Sequence, residues 1–361
     1  MATNATGISF NRGVPCVEAF PISEIQECAA AILAADAATI LQYGKSTGYM
    51  PLRETIAQRY GASPEEVLVS NGSLQIQEFV SALLLRPGDM VFVEAPSYDR
   101  AITIFRRHGA DVVGIPLEHD GPDIESLAAQ LRKVTPKLLY VIPDFQNPTG
   151  VTTSLSKREE IVRLAEEYGF WILEDGPYRA LRYQGSDVPL MRALNPDRVL
   201  HLSSFAKVLS PGLRIGYLIA PKRIVEAVAK VATDTYVTPG LLAQGTAYEF
   251  CRRGWLEPNV ERLKGIYWPK LKATAAGLRE YLPGADWVEP EGGFFVGMTL
   301  PLEMNTSNLR GRAEEAGLSL SDGRGFFPQG GGDRFIRLAF TALSVSEIRE
   351  GISRLARLVS N

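Results

Sequence analysis

KLLYVIPDFQNPTG, residues 137–150, is the stretch from which the fold can be read. Its first half is a short unbroken apolar run, which marks a strand buried on both faces. Its second half is rich in Pro, Asn and Gly and turns the chain at the strand's carboxyl end. The signature recurs on either side. EVLVSNGS (66–73), MVFVEAPSY (90–98), FWILEDGPY (170–178) and VLHLSSFAKVLSPGLR (199–214) each run from an apolar strand into polar turn residues. Strands are expected at 66–70, 90–94, 111–115, 137–142, 170–174, 199–203 and 214–219. Amphipathic helices are expected at 53–60, 74–85, 98–108, 124–133 and 154–168. Short apolar strands alternating with helices predict an α/β fold, with a mainly parallel sheet covered on both faces.

The pattern changes after about residue 239. A long helical stretch, 241–281, is expected to break near Gly254 and Pro258. A meander follows at 286–289, 292–299 and 335–339, and an amphipathic helix at 346–359 closes the chain. This reads as a smaller α+β domain. The first 40 residues do not fit the alternation and are expected to pack on that domain or on a partner subunit. The division is therefore 1–40 for an amino-terminal segment, 41–250 for a large domain and 251–361 for a small one.

The 361 residues carry a net charge of −3 and are 45% hydrophobic, enough for a large core. That charge gives no reason to expect nucleic acid or an anionic membrane as a partner. Cys16, Cys28 and Cys251 lie far apart and form no metal or redox spacing, as do His108, His119 and His201. Free thiols, no metal and a cytoplasmic location are the expectation. Residues 1–9 lack a basic start followed by an apolar run, so no signal peptide is expected.

In open parallel sheets, ligands bind beyond the carboxyl ends of the strands. That edge gathers Asn71-Gly72-Ser73 at a helix start, Tyr98, Asn147, Asp175, Tyr178, Ser204, Lys207 and Arg214. A lysine amine condenses with an aldehyde to a Schiff base if its surroundings favour the neutral form. A pyridine ring draws electrons only while its nitrogen stays protonated, and a carboxylate such as Asp175 ensures that. Asn147 and Tyr178 can donate to a phenolate oxygen, and Tyr98 can stack on a ring. Backbone N–H groups at Gly72-Ser73-Leu74, the Ser204 hydroxyl and Arg214 suit a phosphate. Singly, each has a plainer reading as a turn residue, strand end or surface charge; their joint order argues against coincidence.

Taken together, Tyr43-Gly44-x3-Gly48-Tyr49-x-Pro51-Leu52-Arg53, Asn71-Gly72-Ser73, Glu94-x-Pro96-Ser97-Tyr98, Pro143-x-Phe145-Gln146-Asn147-Pro148-Thr149-Gly150, Glu174-Asp175-x-x-Tyr178 and Ser204-Phe205-x-Lys207-x-Leu209-Ser210-Pro211-Gly212-Leu213-Arg214 resemble the fold type I, pyridoxal 5′-phosphate-dependent class I/II aminotransferases. The likeness is nearest to the 2-aminoadipate aminotransferase (LysN-like) branch and extends to Glu291-Gly292-Gly293-Phe294-Phe295-Val296 and Arg337-Leu338. It implies a seven-stranded-type sheet and a homodimer with composite active sites. It makes Lys207 the Schiff-base lysine and proton shuttle, with Asp175 and Tyr98 the other catalytic residues. Gly72, Ser73, Leu74, Tyr98, Asn147, Asp175, Tyr178, Ser204, Arg214 and, from the other subunit, Tyr43 would hold the cofactor. Arg337 and Asn147 would hold the substrate's α-carboxylate. Gly176 departs from the branch, which commonly has a second Asp there.

The implied reaction moves an amino group between an α-amino acid and a 2-oxo acid such as 2-oxoglutarate. A lyase, cyclase or oxidase on a biosynthetic pathway is the alternative, since the same Lys, Asp and Arg serve it. A dinucleotide enzyme is disfavoured, because no Gly-x-Gly-x-x-Gly joins a first strand to a helix. In relatives the segment 10–20 covers the site and can swing. Arg12 within it, and Arg324, are candidate partners for a distal carboxylate.

Overall fold

The computed structural model describes residues 7–360. The first part of the chain runs β1 (Ile8–Ser9), α1 (Ile22–Ile40), α2 (Met50–Tyr60), β2 (Val67–Ser70), α3 (Ser73–Leu84), β3 (Met90–Ala95) and α4 (Asp99–Arg107). Next come β4 (Asp111–Glu118), β5 (Gly121–Pro122), α5 (Ile124–Leu131), β6 (Leu138–Val141), α6 (Leu155–Tyr168), β7 (Trp171–Asp175) and α7 (Met191–Leu194). Then follow β8 (Val199–Ser204), β9 (Gly216–Ile219), α8 (Lys222–Tyr236), α9 (Leu241–Arg252) and α10 (Leu256–Tyr281). The last part is β10 (Asp286–Trp287), β11 (Phe295–Thr299), α11 (Leu309–Glu315), β12 (Leu318–Ser319), β13 (Phe335–Ala339) and α12 (Val345–Ser360). No described helix is long and apolar enough to cross a membrane.

The large sheet has eight strands in the order β2-β9-β8-β7-β6-β3-β4-β5. Strands β8, β7, β6, β3 and β4 are parallel, while β9 runs antiparallel to both β2 and β8. The eighth strand, β5, is a two-residue antiparallel edge to β4, so seven strands carry the sheet. Nearly every residue of β2, β6, β7, β8 and β9 is buried, which is why these strands read as unbroken apolar runs.

A second core forms around β11 and β13 with α12, and includes Val296, Met298, Ile336, Leu338, Ile352 and Leu355. Helix α10 joins the two cores: Val260, Leu263 and Tyr267 belong to the large one, Leu271 and Leu278 to the second.

Three expectations need correction. The amino-terminal segment packs mainly on the large core, not on the small domain. Ile22–Ile40 is a 19-residue helix, and Ile32 and Ile40 press on Gly245 of α9, in the large core. Only its beginning meets the second core, through Ile8↔Leu318 pairing and the buried ring of Phe10. Residues 1–6 of that segment lie outside the described residues. Helix α8 was also not expected. Finally, Pro258 does not break the long helix. It sits in the first turn of α10, where the missing N–H has no intrahelical partner to lose.

The carboxyl-end rim depends on one close approach. A Cβ on Gly216 of β9 would lie 2.1 Å from the backbone nitrogen of Ser73, so only glycine lets the start of α3 abut the sheet. Gly216→Ala should therefore cost about 1–3 kcal/mol of stability by overpacking and weaken cofactor binding by roughly tenfold or more. Gly61→Ala, at the left-handed cap of α2 with open space around it, should cost about 1–2 kcal/mol and leave cofactor affinity intact. Denaturant unfolding and cofactor titration of the two variants separate these effects.

Candidate active site

Lys207 lies in the turn after β8, partly buried, with its Nζ 5.1 Å from the ring centre of Phe294 and 5.7 Å from that of Tyr178. Burial pushes its ammonium down to about 8, and the nearby charges of Arg337 and Arg214 add to this. The amine is thus available as a neutral nucleophile near physiological pH. Its Nζ donates to the Gly13 carbonyl oxygen at 3.1 Å, so the amino-terminal segment lies directly over it.

Asp175 ends β7. The Tyr140 hydroxyl donates to its Oδ2 at 2.7 Å, while Oδ1 is buried without a hydrogen-bond partner. Burial raises this carboxyl to about 6, against the lowering influence of Tyr140, His201 and Lys207. A buried acceptor with no donor is costly unless a ligand supplies one.

Arg337 on β13 is buried, sandwiched between the rings of Phe295 and Phe326 at 4.8 and 4.7 Å. Its Nη1 donates to Asn147 Oδ1 at 2.9 Å and its Nη2 to the Asn11 carbonyl at 2.8 Å. Asn147 is presented by a turn held from below. Phe145, at φ 53°, packs on Gly292 and Gly293, where a Cβ would come within 2.6 and 2.4 Å of its side chain.

At the far end of the rim, Gly72 caps α3 at φ 102° and a Cβ there would lie 2.5 Å from Arg214 Nη2. Arg214 makes only long contacts to backbone carbonyls, at 3.4 Å to both Pro211 and Asn71, and among the described residues no carboxylate pairs with it. Ser204 is buried nearby, its hydroxyl donating to the Ile215 carbonyl.

The sequence profile of aminotransferase class I and II matches residues 6–355. The chain is 36% identical over 355 residues to a 2-aminoadipate transaminase of Thermus thermophilus, covering 97% of this chain and 89% of that one. It is 33% identical over 365 residues to an aromatic-amino-acid aminotransferase of Thermococcus litoralis, covering 98% and 88%. The crystal structure of the α-aminoadipate aminotransferase LysN from Thermus thermophilus, complexed with N-(5′-phosphopyridoxyl)-L-leucine, superposes with a TM-score of 0.92. It is 35% identical and covers 98% of this chain and 92% of that one. The chain belongs to the class I and II aminotransferases.

As an aminotransferase of this family it uses pyridoxal 5′-phosphate, and the residues present fit that group. The orphaned Asp175 oxygen suits a ring N–H. The open start of α3 beside an arginine without a carboxylate partner suits a dianionic phosphate. The structure brings Lys207, Asp175, Tyr178, Asn147 and Arg337 together, with Tyr98 in electrostatic reach of Asp175 and Arg337. At the other end Gly72 meets Arg214, Ser73 and Leu74 open α3, and Ser204 is buried. Three residues stay apart. Tyr43 is 77% exposed, Arg12 is exposed, and Arg324 is already paired with Asp322 at 2.8 Å.

Sequence reasoning missed four contributors. Tyr140 could have been found, since it is the one polar-tipped side chain in an otherwise apolar strand. Gly13, Phe326 and Gln146, which donates to Glu94 Oε2 and to the Pro96 carbonyl, could not, because their roles arise from contacts across the fold.

Apoenzyme should take up cofactor at a rate that rises with pH and levels off above about 8, the Lys207 value. Stopped-flow absorbance across the pH range checks this. A midpoint near the ordinary lysine value would contradict the buried-amine account.

Proposed function

We propose that this aminotransferase binds its cofactor through Lys207, Asp175, Asn147, Tyr178, Tyr98 and the 72–74, Ser204 and Arg214 cradle. Its amino-group transfer would then run between a longer α-amino acid and 2-oxoglutarate or glutamate. The observation that carries the reading is the unpartnered Oδ1 of Asp175, within electrostatic range of a partly buried lysine with a lowered affinity for protons.

When bound, the cofactor supplies an aldehyde for an amine and a ring that accepts electron density from the substrate's Cα. Asp175 would keep the ring nitrogen protonated through Oδ1, while Tyr140 holds Oδ2 in place. Asn147 and Tyr178 would hold the phenolate oxygen, and Tyr98 would face the ring. Lys207 releases Gly13 and moves the proton at Cα. Arg337 presents a planar fork to the α-carboxylate, kept in one orientation by Phe295 and Phe326, with Asn147 completing the clamp. Residues 11–14 cover these groups and exclude water.

The relatives' names support a long or bulky side chain: 2-aminoadipate in one, an aromatic amino acid in another, leucine in the bound complex. Arg12 lies exposed on the covering segment, its guanidinium without a partner among the described residues, and would supply a cation for a distal carboxylate once turned toward the site. Purified enzyme mixed with a panel of amino acids and 2-oxoglutarate should form glutamate in step with the matching keto acid. Borohydride treatment should leave the cofactor on the peptide containing Lys207. Arg12→Ala should weaken dicarboxylic substrates by about tenfold, roughly the worth of one charge-assisted contact, and spare apolar ones. Equal loss for both classes removes Arg12 from the site, and a label on another lysine removes the whole assignment.

The dimer is part of the same proposal. Leu41, Tyr43, Val237 and Leu242 are all exposed, and Gly44 lies against Leu241 and Thr238, so their segments adjoin. An apolar patch beside the phosphate end of the site suits a second copy of the chain, whose Tyr43 would complete that site. Lys207→Ala mixed with Tyr43→Phe should regain activity above either alone, because each mixed dimer then holds one intact site. No gain after confirmed subunit exchange would rule out sharing.

A further inference from the structure

Glu94 has no part in the mechanism above, yet it is fully buried. It sits near the carboxyl end of β3. Val93 pairs with Tyr140 and Tyr140 with Leu173, so these share one sheet face with Asp175. Side chains alternate along a strand, which puts Glu94 on the opposite face, in the row of Val141, Glu174 and His201.

Its two oxygens are unlike. Oε2 accepts from the Ile142 backbone N–H at 3.1 Å and from Gln146 Nε2 at 3.0 Å. Oε1 is buried with no partner. Gln146 carries the contact onward. Its Nε2 also donates to the Pro96 carbonyl at 2.8 Å, and its Oε1 accepts from the Thr149 N–H and hydroxyl at 3.0 and 2.8 Å. One carboxyl thus ties the Pro96-Ser97-Tyr98 turn to the turn carrying Asn147.

The charges around Glu94 are of the wrong sign or already engaged. Asp175, across the sheet, is a second carboxylate acting on it. Tyr140 is committed to Asp175. Tyr98 is a neutral phenol held up by burial. Along its own row, Glu174 and His201 bond each other at 3.0 Å. On the covering helix α6, Arg158 is held by Asp144 at 2.9 Å. Among the described residues no lysine, arginine or histidine pairs with Glu94. Two nearby buried carboxyls without a shared cation do not both ionise.

We propose that Glu94 is a positioning residue that works as a neutral carboxylic acid. It braces the Tyr98 and Asn147 turns through Gln146, and its retained proton leaves the negative charge on Asp175, where the cofactor's ring nitrogen needs it. This rests on the reading of Asp175, Asn147 and Tyr98 as cofactor contacts.

Burial pushes the Glu94 carboxyl up to about 8. In the unfolded chain it ionises in the ordinary carboxylate range. The folded state therefore holds one more proton between that range and about pH 8, and this contribution to stability falls as pH rises through the window.

The test uses holoenzyme with isotope-labelled glutamate and infrared spectroscopy. The wild type should show the carbonyl band of a protonated glutamic acid at about pH 6 that fades with a midpoint well above the usual carboxylate range. Glu94→Gln should lack the band, keep the brace, and show a thermal midpoint that falls less between about pH 6 and about pH 9. The alkaline limit of its kcat should move up by about one pH unit. A wild-type spectrum with no protonated glutamic acid at about pH 6 overturns the proposal. So does a Glu94→Gln enzyme with unchanged pH dependence. If Glu94→Gln does not fold, the wild-type band and its titration decide alone. A borohydride label away from Lys207 would instead defeat the cofactor reading while leaving the Glu94 proton measurable.

Discussion

The buried carboxylate of Asp144 is the point from which the site is built. It has no exposure, and Arg158, Arg179 and Arg182 converge on it at 2.9, 3.2 and 3.5 Å. Each arginine brings a different piece of chain. Arg158 belongs to α6 and also binds the Pro143 and Thr153 carbonyls. Arg179 follows Tyr178. Arg182 reaches on to Glu291, beside the Gly292-Gly293 pair on which Phe145 rests, and stacks over the Phe145 ring at 4.7 Å. The turns bearing Asn147 and Tyr178 and the approach to Phe294 and Phe295 are thereby fixed to one another. A charge this deep stays only because it is multiply paired, and removing a partner from such a cluster costs about 3–5 kcal/mol.

Where the fold was legible, burial made it so. Strands sealed on both faces need no alternation, and KLLYVI and FWILED show none. The missed helices have separate causes. In α1 only Cys28, Ile32 and Ile40 are buried, and the many alanines blur the difference between its faces. In α8 the stripe Ile224, Val225, Val228 and Ala232 is present in the sequence at helical spacing. The meander was expected from 292, but β11 starts at Phe295: Gly292 bridges to Arg182 instead, and Gly293, at φ 75°, turns the chain between the two pairings.

The candidate site was legible to a similar depth. Lys207, Asp175, Asn147, Tyr178 and Arg214 all stand at strand ends, where position along the chain gives position in space. Arg337 came from family likeness and not from any local pattern. The two rings that hold it come from residues 295 and 326, and their meeting depends on how the second core seats against the first. Glu94 appeared only as a letter within a turn motif. Nothing in a one-dimensional reading distinguishes a carboxyl facing solvent from one without a counterion.

The segment across Lys207 and Arg337 is anchored at both ends. Phe10 is buried in the second core, and Cys16 and Ala19 are buried in the first. Only residues 11–15 span the gap, and Asn11, Gly13 and Val14 each accept a hydrogen bond from below. A loop this short with both ends fixed has little conformational entropy to lose on closing. Its opening is then a matter of exchanging a few carbonyl contacts for those of an incoming carboxylate and amine. Such a cover behaves less like a door that swings through solvent than like a clasp already cut to shape. Its affinity for the closed state is set by hydrogen-bond chemistry more than by the freedom of the chain.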